Sequence, residues 1–520
     1  MIYLDYRNSY TTVSVPKKQS EEDKLGIKLI LEACKIEINV FRKRGKRTRM
    51  VKEILDYFDK SMFPSGWIHK IMLILNRTQI PYKLNYKNTQ WEIPENRDLR
   101  KNSENYYYQD EAVEAAMFYK RGIIRLPTGS GKTRVASELI GCLSIPTLFL
   151  VPTIPLMYQT HKVLTKKFGE DMVGLIGDHE FNPSVITVAS NMTVYSRIEK
   201  QEILEILNNV GLLILDEAHK INWTTRKKIV TVKGIKKEIS YSVLQNAYFE
   251  IVQKCGAEYK IALTATPGTS GSLGRCLLEA CTGPVLYRKS ASDLYKEGYI
   301  SKPKVCMFTF NTDHLPLSSN WRESKATLVG DFKFKTLVTD ICKLFISKKK
   351  TVLVSCDEVE SQIKPYSELV PKSEILVGKR SAKEFSGGKK YREYLSEILQ
   401  RFKDREIQVL FSTIMKEGID VPSMDVVVLP FLGTKFNAVI QRAGRVLRKF
   451  EGKEVGYIIV FYFQDDGPLE KHSKNRIQHF VDEGYPVEIL TTPSEIFGGV
   501  IKNELEKLKA RKKQFFGLRG

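Results

Sequence analysis

Two short clusters in this chain have residue types and spacing suited to moving a phosphoryl group. The first, Leu126-Pro-Thr-Gly-Ser-Gly-Lys-Thr133, joins the apolar run Gly122-Ile-Ile-Arg-Leu126 to an amphipathic stretch that starts at Val135. Strand, glycine loop and helix in that order is the arrangement that cradles phosphate. Gly129 and Gly131, flanked by Thr128 and Ser130, let backbone N–H groups turn inward, Lys132 can neutralise the β/γ oxygens, and the Thr133 hydroxyl can ligate Mg²⁺. The second cluster, Leu212-Leu-Ile-Leu-Asp-Glu-Ala-His219, ends an apolar run in two acids. Acids at the carboxyl end of a buried strand stand where open α/β sheets bind ligands. Asp216 is placed to hold Mg²⁺ through water, and Glu217 to orient and deprotonate an attacking water. Alone, these acids read equally well as a helix N-cap. After a phosphate loop they read as the hydrolytic half of an ATP site.

The elements that must position these residues are legible as a rhythm. From about residue 121 to 285, GIIRL, TLFLV, VITVA, LLILD and KIALT alternate with amphipathic stretches. Continuous apolar runs separated by helical segments imply a parallel sheet with crossover helices. A second set begins near residue 330, with TVLVS, EILV, IQVLFS, DVVVL and YIIVFYF, separated by helical segments such as Tyr391 to Phe402 and Asn437 to Lys449. We expect an accessory domain over 1–100, a first lobe over 101–285 with a hairpin insertion at 224–242, and a connecting segment over 286–330. A second lobe over 331–465 and a basic C-terminal extension over 466–520 complete the expected division. At 520 residues, several cores are the prior in any case.

Composition narrows the partners. A formal charge of +22 attracts polyanions, with nucleic acid foremost. The 8 cysteines show no C-x-x-C pair and no spacing suited to zinc, so they read as reduced, mostly buried thiols. The opening MIYLDYRNSY lacks a basic n-region and an apolar core, and no run approaches a membrane span of roughly 18 apolar residues. The expected setting is the cytoplasm, with no membrane partner.

With the Asp-Glu-Ala-His tetrad at 216–219 in place, the chain resembles a superfamily 2 helicase, a family in which the first glycine of the phosphate loop is commonly relaxed, as at Leu126. That resemblance implies an α/β fold of two tandem RecA-like parallel-sheet lobes plus a small basic N-terminal accessory domain, closing around ATP and Mg²⁺. Further motifs follow in the family's order. Tyr107-Tyr108-Gln109 resembles the adenine-reading element, with Gln109 on the adenine edge and Tyr107 able to stack; the alternative is an aromatic core patch. Pro152 to Gln159 resembles the first strand-tracking motif. There Thr153 and Gln159, with Ser190 further on and Thr413 in the second lobe, are the implied phosphate-backbone contacts. Thr264-Ala265-Thr266 resembles the motif that couples hydrolysis to movement. In the second lobe, Ser412 to Pro422 resembles the element touching both nucleotide and DNA, with Gly418 and Asp420 its most telling residues. Gln441-Arg442-Ala443-Gly444-Arg445-Val446-Leu447-Arg448 then lies in a helical stretch where Arg445 and Arg448, at i and i+3, share a face and could reach one phosphate, with Gln441 beside them. An arginine supplied this way is worth roughly 10³ to 10⁵ in rate in other nucleotide hydrolases.

The segment GPVLYRKSASDLYKEGYISKP and the stretch from QRAGRVLRKFEGK to FVDEGY resemble DNA helicases of the branch-migration, repair and restriction groups, above all phage recombination helicases of the T-even type. The N-terminal stretch from FRKRGKR to MFPSGWIHKIMLIL is similar to their small basic domain, without the aromatic-Asp-Gly signature that usually precedes the FPSG segment. Two basic features lie outside the common core. Arg226 to Ser240 alternates apolar and polar residues around Gly234 and reads as a β-hairpin presenting Lys227, Lys228, Lys233, Lys236 and Lys237 to DNA, or as a solvated decoration. The run Arg42 to Lys52, with Arg42, Arg44 and Arg47, is a second DNA-binding expectation. The implied activity is an ATP-dependent DNA helicase or translocase acting on forked or branched DNA. An RNA helicase and a non-catalytic nucleic-acid binder with a vestigial nucleotide site are the rivals.

Overall fold

A computed structural model describes the backbone of residues 1–44, 47–87, 105–221, 224–232, 235–243, 247–268, 272–414, 423–431, 436–464 and 467–498. These form two compact units, one of Met1–Pro127 with Gly131–Lys289 and the other of Ser290 onward with Thr128–Ser130.

The first unit opens with β1 (Ile2–Tyr6), β2 (Tyr10–Ser14), the pair β3 (Lys35–Arg44) and β4 (Arg47–Asp56), β5 (Met62–Pro64) and β6 (Tyr82–Tyr86). Strands β5-β2-β1-β6 make a small sheet, while β3 and β4 form a ten-residue antiparallel hairpin of their own. Next come β7 (Arg121–Arg125), β8 (Thr147–Val151), β9 (Val173–Gly177), β10 (Glu180–Asn182), β11 (Ile186–Ser190) and β12 (Leu212–Leu215). A second hairpin, β13 (Thr224–Val232) with β14 (Ile235–Val243), precedes β15 (Tyr259–Thr264) and β16 (Val285–Arg288). The large sheet runs β10-β9-β11-β8-β12-β15-β7-β16 and is parallel except at β10. Its central strands are buried along their whole length, which is why their sequences read as unbroken apolar runs.

The N-terminal residues form the small sheet of the expected accessory domain, and its core is continuous with that of the first lobe. One apolar cluster runs from Ile2, Phe63 and Trp67 through Leu213 to Cys281. Trp67 donates its indole N–H to the Cys276 carbonyl at 3.1 Å. Gly66 is required there, because a Cβ on it would lie 2.1 Å from the Glu279 carbonyl oxygen. Two buried cations at the start of β7 and β15 complete the joint. Arg121 donates to the Tyr6 hydroxyl (2.8 Å) and to the carbonyls of Asn8, Cys281 and Thr282, and Lys260 donates to the carbonyls of Asn8 (2.7 Å), Val252 (2.9 Å) and Cys255 (2.8 Å).

Burial pulls the Lys260 pKa down to about 7. A lysine whose folded pKa lies below its unfolded value contributes stability that rises with pH between the two values and levels off below the lower one. The stability of the parent relative to Lys260→Met is therefore expected to grow between pH 7 and pH 9, by up to about 1.4 kcal/mol per pH unit. Urea unfolding at pH 7, 8 and 9 reads the difference directly; a pH-independent difference would show that Lys260 keeps its solution pKa.

The second unit carries β17 (Lys302–Asn311), β18 (Val352–Ser355), β19 (Ser373–Leu376), β20 (Val409–Ser412), β21 (Val426–Val428), β22 (Val455–Gln464) and β23 (Val487–Leu490). Their order is β19-β20-β18-β21-β22-β17-β23, parallel throughout. This corrects two expected boundaries. Residues 286–330, read as a connection, supply β17, which pairs with β22 from Lys302↔Val455 to Asn311↔Gln464. The expected C-terminal extension supplies the helix Pro468–Asp482 and the edge strand β23. Prolines and polar residues at both ends of these segments hide apolar middles that only a long-range partner fixes. The eight cysteines are free thiols, all but Cys276 buried. No helix among the described residues is long and apolar enough to cross a membrane.

Candidate functional site

In the first unit, β7 ends at Arg125 and the helix Lys132–Leu143 begins seven residues later. The loop between them is bent at Gly129 (φ 89°) and Gly131 (φ 81°), both in the left-handed region that glycine enters without strain. Leu126 N–H donates to the Thr264 carbonyl at 3.1 Å, so the loop leaves the sheet beside the end of β15. Lys132 Nζ lies 3.5 Å from the Leu126 carbonyl and 3.4 Å from that of Pro127, folded back over its own loop. A helix of 12 residues presents its amino end here, and those N–H groups suit an anion.

One strand beyond β15, β12 delivers Asp216 and Glu217. Asp216 N–H makes the last sheet bond, to the Leu150 carbonyl at 2.9 Å. The chain then turns sharply: Glu217 has φ 46° and ψ 44°, unusual for a residue with a side chain. Glu217 N–H donates to Asp216 Oδ1 at 2.8 Å, and Lys220 N–H to the Glu217 carbonyl at 3.0 Å. His219 Nδ1 stands 3.3 Å from Glu217 Oε2 and 3.4 Å from Thr264 Oγ1, which in turn accepts from Thr266 N–H at 3.1 Å. The acidic turn and the Thr264–Thr266 segment are thus one bonded cluster. Asp216 is 5% exposed, and burial, reinforced by the neighbouring Glu217 charge, pushes its carboxyl well above the usual range while Lys132 pulls the other way.

That electrostatic state fits a bound divalent cation. A buried carboxylate beside a second one, with Lys132 the counter-charge that lowers its pKa most, is relieved by a hard cation with oxygen ligands. Asp216 and the half-buried Thr133 are the residues that would hold Mg²⁺.

In the second unit, the helix Phe436–Gly444 stops earlier than its sequence suggests. Arg445–Leu447 is a 3₁₀ turn and Arg448 is extended (φ −62°, ψ 134°), so Arg445 and Arg448 do not share a helical face as i and i+3. Arg445 is buried and Arg448 half-buried. The Arg448 carbonyl accepts from Lys453 Nζ at 2.9 Å and Ser301 Oγ at 3.3 Å, fixing the strand-like exit from the turn.

Comparison with known proteins accounts for both units. Residues 102–269 match the family model described as the type III restriction enzyme, res subunit, and residues 336–450 match the helicase conserved C-terminal domain. The chain is an ATP-hydrolysing superfamily 2 helicase. A relative from Sulfurisphaera tokodaii, named DNA 3′-5′ translocase XPB2, is 29% identical over 373 residues, 66% of this chain and 78% of its own. In fold, the ATP-dependent type ISP restriction-modification enzyme LlaBIII bound to DNA aligns over 85% of this chain and 35% of its own at 16% identity, with a TM-score of 0.51. Dbp5 of S. cerevisiae bound to RNA and ADP BeF3 aligns over 80% of this chain and 95% of its own at 14% identity, with a TM-score of 0.50. The two sheets are RecA-like lobes, and the fold is shared by DNA-bound and RNA-bound proteins alike.

The remaining expected residues of this helicase fall into three groups. Some converge on the phosphate loop. Gln109 is buried, its Oε1 accepts from Tyr106 N–H at 3.1 Å, and a Cβ on Gly131 would lie 2.5 Å from its Nε2, so the adenine-reading element abuts the loop. Of its tyrosines, Tyr108 is core, whereas Tyr107 is 43% exposed and accepts from Lys289 Nζ at 2.6 Å. Thr153 and Ser190 sit at the carboxyl ends of adjacent β8 and β11, on the same sheet edge, with Gln159 half-buried on the helix Ile154–Phe168. Thr413 follows β20 in the second unit and donates its N–H to the Leu376 carbonyl at 3.3 Å.

A second group has described backbone only. Lys227 pairs with Ser240, Lys228 with Ile239 and Lys236 with Thr231 on the β13–β14 hairpin, and Arg42 pairs with Arg49 and Arg44 with Arg47 on β3–β4. Gln441 lies in the helix Phe436–Gly444. A third group, Lys233, Gly418 and Asp420, lies outside the described residues. Sequence reasoning missed Tyr248. Buried on the helix Ala247–Lys254, it donates its hydroxyl to the Asp216 carbonyl at 2.9 Å, and in sequence it is one aromatic in an apolar stretch.

Proposed function

We propose that this helicase is a DNA motor that translocates 3′ to 5′ and unwinds or branch-migrates forked and junction DNA in replication, recombination or repair. The observation that carries the reading is the basic β13–β14 hairpin, inserted between the acidic turn at Asp216–His219 and the next helix of the ATPase lobe. A second hairpin of basic sequence, β3–β4, and a net charge of +22 support the same polyanionic partner. The name of the Sulfurisphaera tokodaii relative favours DNA over RNA as the track. The T-even resemblance points to a phage-type enzyme working in the host cytoplasm.

In this reading Gly129, Ser130, Gly131 and Lys132 hold the β/γ-phosphates of ATP, Thr133 and Asp216 hold Mg²⁺, and Gln109 reads the adenine edge. Mg²⁺, when bound, neutralises charge on the transferring phosphoryl group. Glu217 orients the attacking water and takes its proton, while His219 and Thr264 tie that carboxylate to the Thr264–Thr266 segment. Arg445 and Arg448 are the arginines that the family resemblance implies for stabilising charge in phosphoryl transfer. Thr153, Gln159, Ser190 and Thr413 contact the DNA backbone.

The test is ATPase stimulation and unwinding across single strands, duplexes, forks and four-way junctions of DNA and RNA. Forked DNA is expected to stimulate most; equal or greater stimulation by an RNA duplex would overturn the DNA reading. Deleting residues 226–240 is expected to lower fork affinity and flatten its salt dependence, the slope of log K against log[salt] falling by about 0.9 for each DNA phosphate that the protein no longer neutralises. An unchanged slope would remove the hairpin from the DNA path.

A further inference from the structure

The Asp216–Glu217 turn is held from a direction none of the helicase motifs accounts for. A non-glycine residue at φ 46° persists only where its surroundings fix it. On the sheet side, Asp216 N–H is fixed by the Leu150 carbonyl, and the regular pairing of β12 with β15 stops at Leu215↔Ala262. The Asp216 carbonyl, the oxygen of the peptide that enters the turn, instead accepts the Tyr248 hydroxyl at 2.9 Å. Tyr248 is 1% exposed, and its helix follows the β13–β14 hairpin after the three residues 244–246. The hairpin therefore leaves the chain just after the acidic turn and returns just before the residue that bonds that turn.

We propose that Tyr248 is a positioning residue for ATP hydrolysis: its hydroxyl locks the Asp216–Glu217 peptide in the left-handed turn that aims the Glu217 carboxylate. The inference rests on reading Glu217 as the group that orients the attacking water. Nucleotide binding does not depend on the Tyr248 bond, because the phosphate loop is built on β7 and its own glycines and Asp216 is fixed from the sheet side by its own N–H. Loss of the hydroxyl should consequently act on turnover and not on affinity.

The experiment compares Tyr248→Phe, which removes only the hydroxyl, with Tyr248→Met, which removes both hydroxyl and ring, in the full chain with saturating forked DNA. Both variants are expected to lower kcat about tenfold, the scale of one net hydrogen bond, with KM for ATP within twofold of the parent. Phe at parental kcat, whatever Met does, would reduce Tyr248 to packing and overturn the inference, as would a KM rise with kcat intact. Glu217→Gln is assayed alongside. If Glu217→Gln keeps full turnover, the reading of Glu217 fails; if it is inactive while Tyr248→Phe matches the parent, only the role of Tyr248 fails. Thermal melting of each variant sets an assay temperature at which all are folded.

Discussion

Lys132→Ala is expected to cut DNA-stimulated ATP turnover by about 10²–10³-fold or more, the scale of removing one preorganised donor to a developing charge. Lys132 stands where the loop from β7 becomes a helix, with its ammonium folded over the Leu126 and Pro127 carbonyls at 3.5 and 3.4 Å. Those contacts are long enough to yield to a phosphate oxygen, which offers a charge-assisted bond in their place. The variant loses a second effect too. Lys132 is the charge that most lowers the proton affinity of Asp216, against burial and the Glu217 charge that raise it. Without it, Asp216 holds its proton more tightly and is a poorer ligand for a divalent cation. Both losses fall on the nucleotide complex, so ATP affinity and kcat should drop together while the melting temperature stays near that of the parent. Phosphate release with saturating DNA, beside direct nucleotide binding, measures the two. Undiminished turnover would end the assignment of this loop as the ATP site.

What was legible in the sequence follows from how parallel sheets bury their strands. LFLV of β8 and LLIL of β12 are apolar at every position because both faces of these strands are covered, and such runs announce themselves. Lys132, Asp216 and Glu217 were legible for the same reason: each stands within a few residues of a strand or helix end that the pattern already marks. Strand β17 escaped because its ladder partner, β22, lies about 150 residues on, and Lys302-Pro303-Lys304 at its start reads as a turn. The helix before Arg445 looked longer because apolar spacing continues through Val446 and Leu447; tertiary packing buries both residues in a 3₁₀ turn instead. Arg121 and Lys260 counted as surface charge in the composition, yet they are buried and bonded to carbonyls from both sides of the joint with the N-terminal sheet. Tyr248 left no trace either, since a hydroxyl that bonds a main-chain carbonyl has no partner side chain to search for.

Glu217→Gln is expected to lower kcat by about 10²–10⁴-fold, the usual yield of a positioned general base, while leaving ATP affinity within a few-fold of the parent. The substitution preserves length and planarity, so the contact with His219, 3.3 Å in the parent, can be made by the amide, and the left-handed turn is still tied by Asp216 Oδ1, the Lys220 N–H and Tyr248. What the amide cannot do is accept a proton. It also removes a negative charge that raises the Asp216 pKa, so Asp216 should ionise more readily and cation binding should hold or tighten. Turnover and binding are therefore predicted to move apart, in contrast to their joint fall in Lys132→Ala. A Gln variant that lost ATP and Mg²⁺ binding along with turnover would make Glu217 a ligand-holding group; one that kept parental kcat would leave the strained turn at φ 46° without a hydrolytic purpose. Single-turnover hydrolysis beside equilibrium nucleotide binding separates these outcomes, because the first reports the proton transfer and the second does not depend on it.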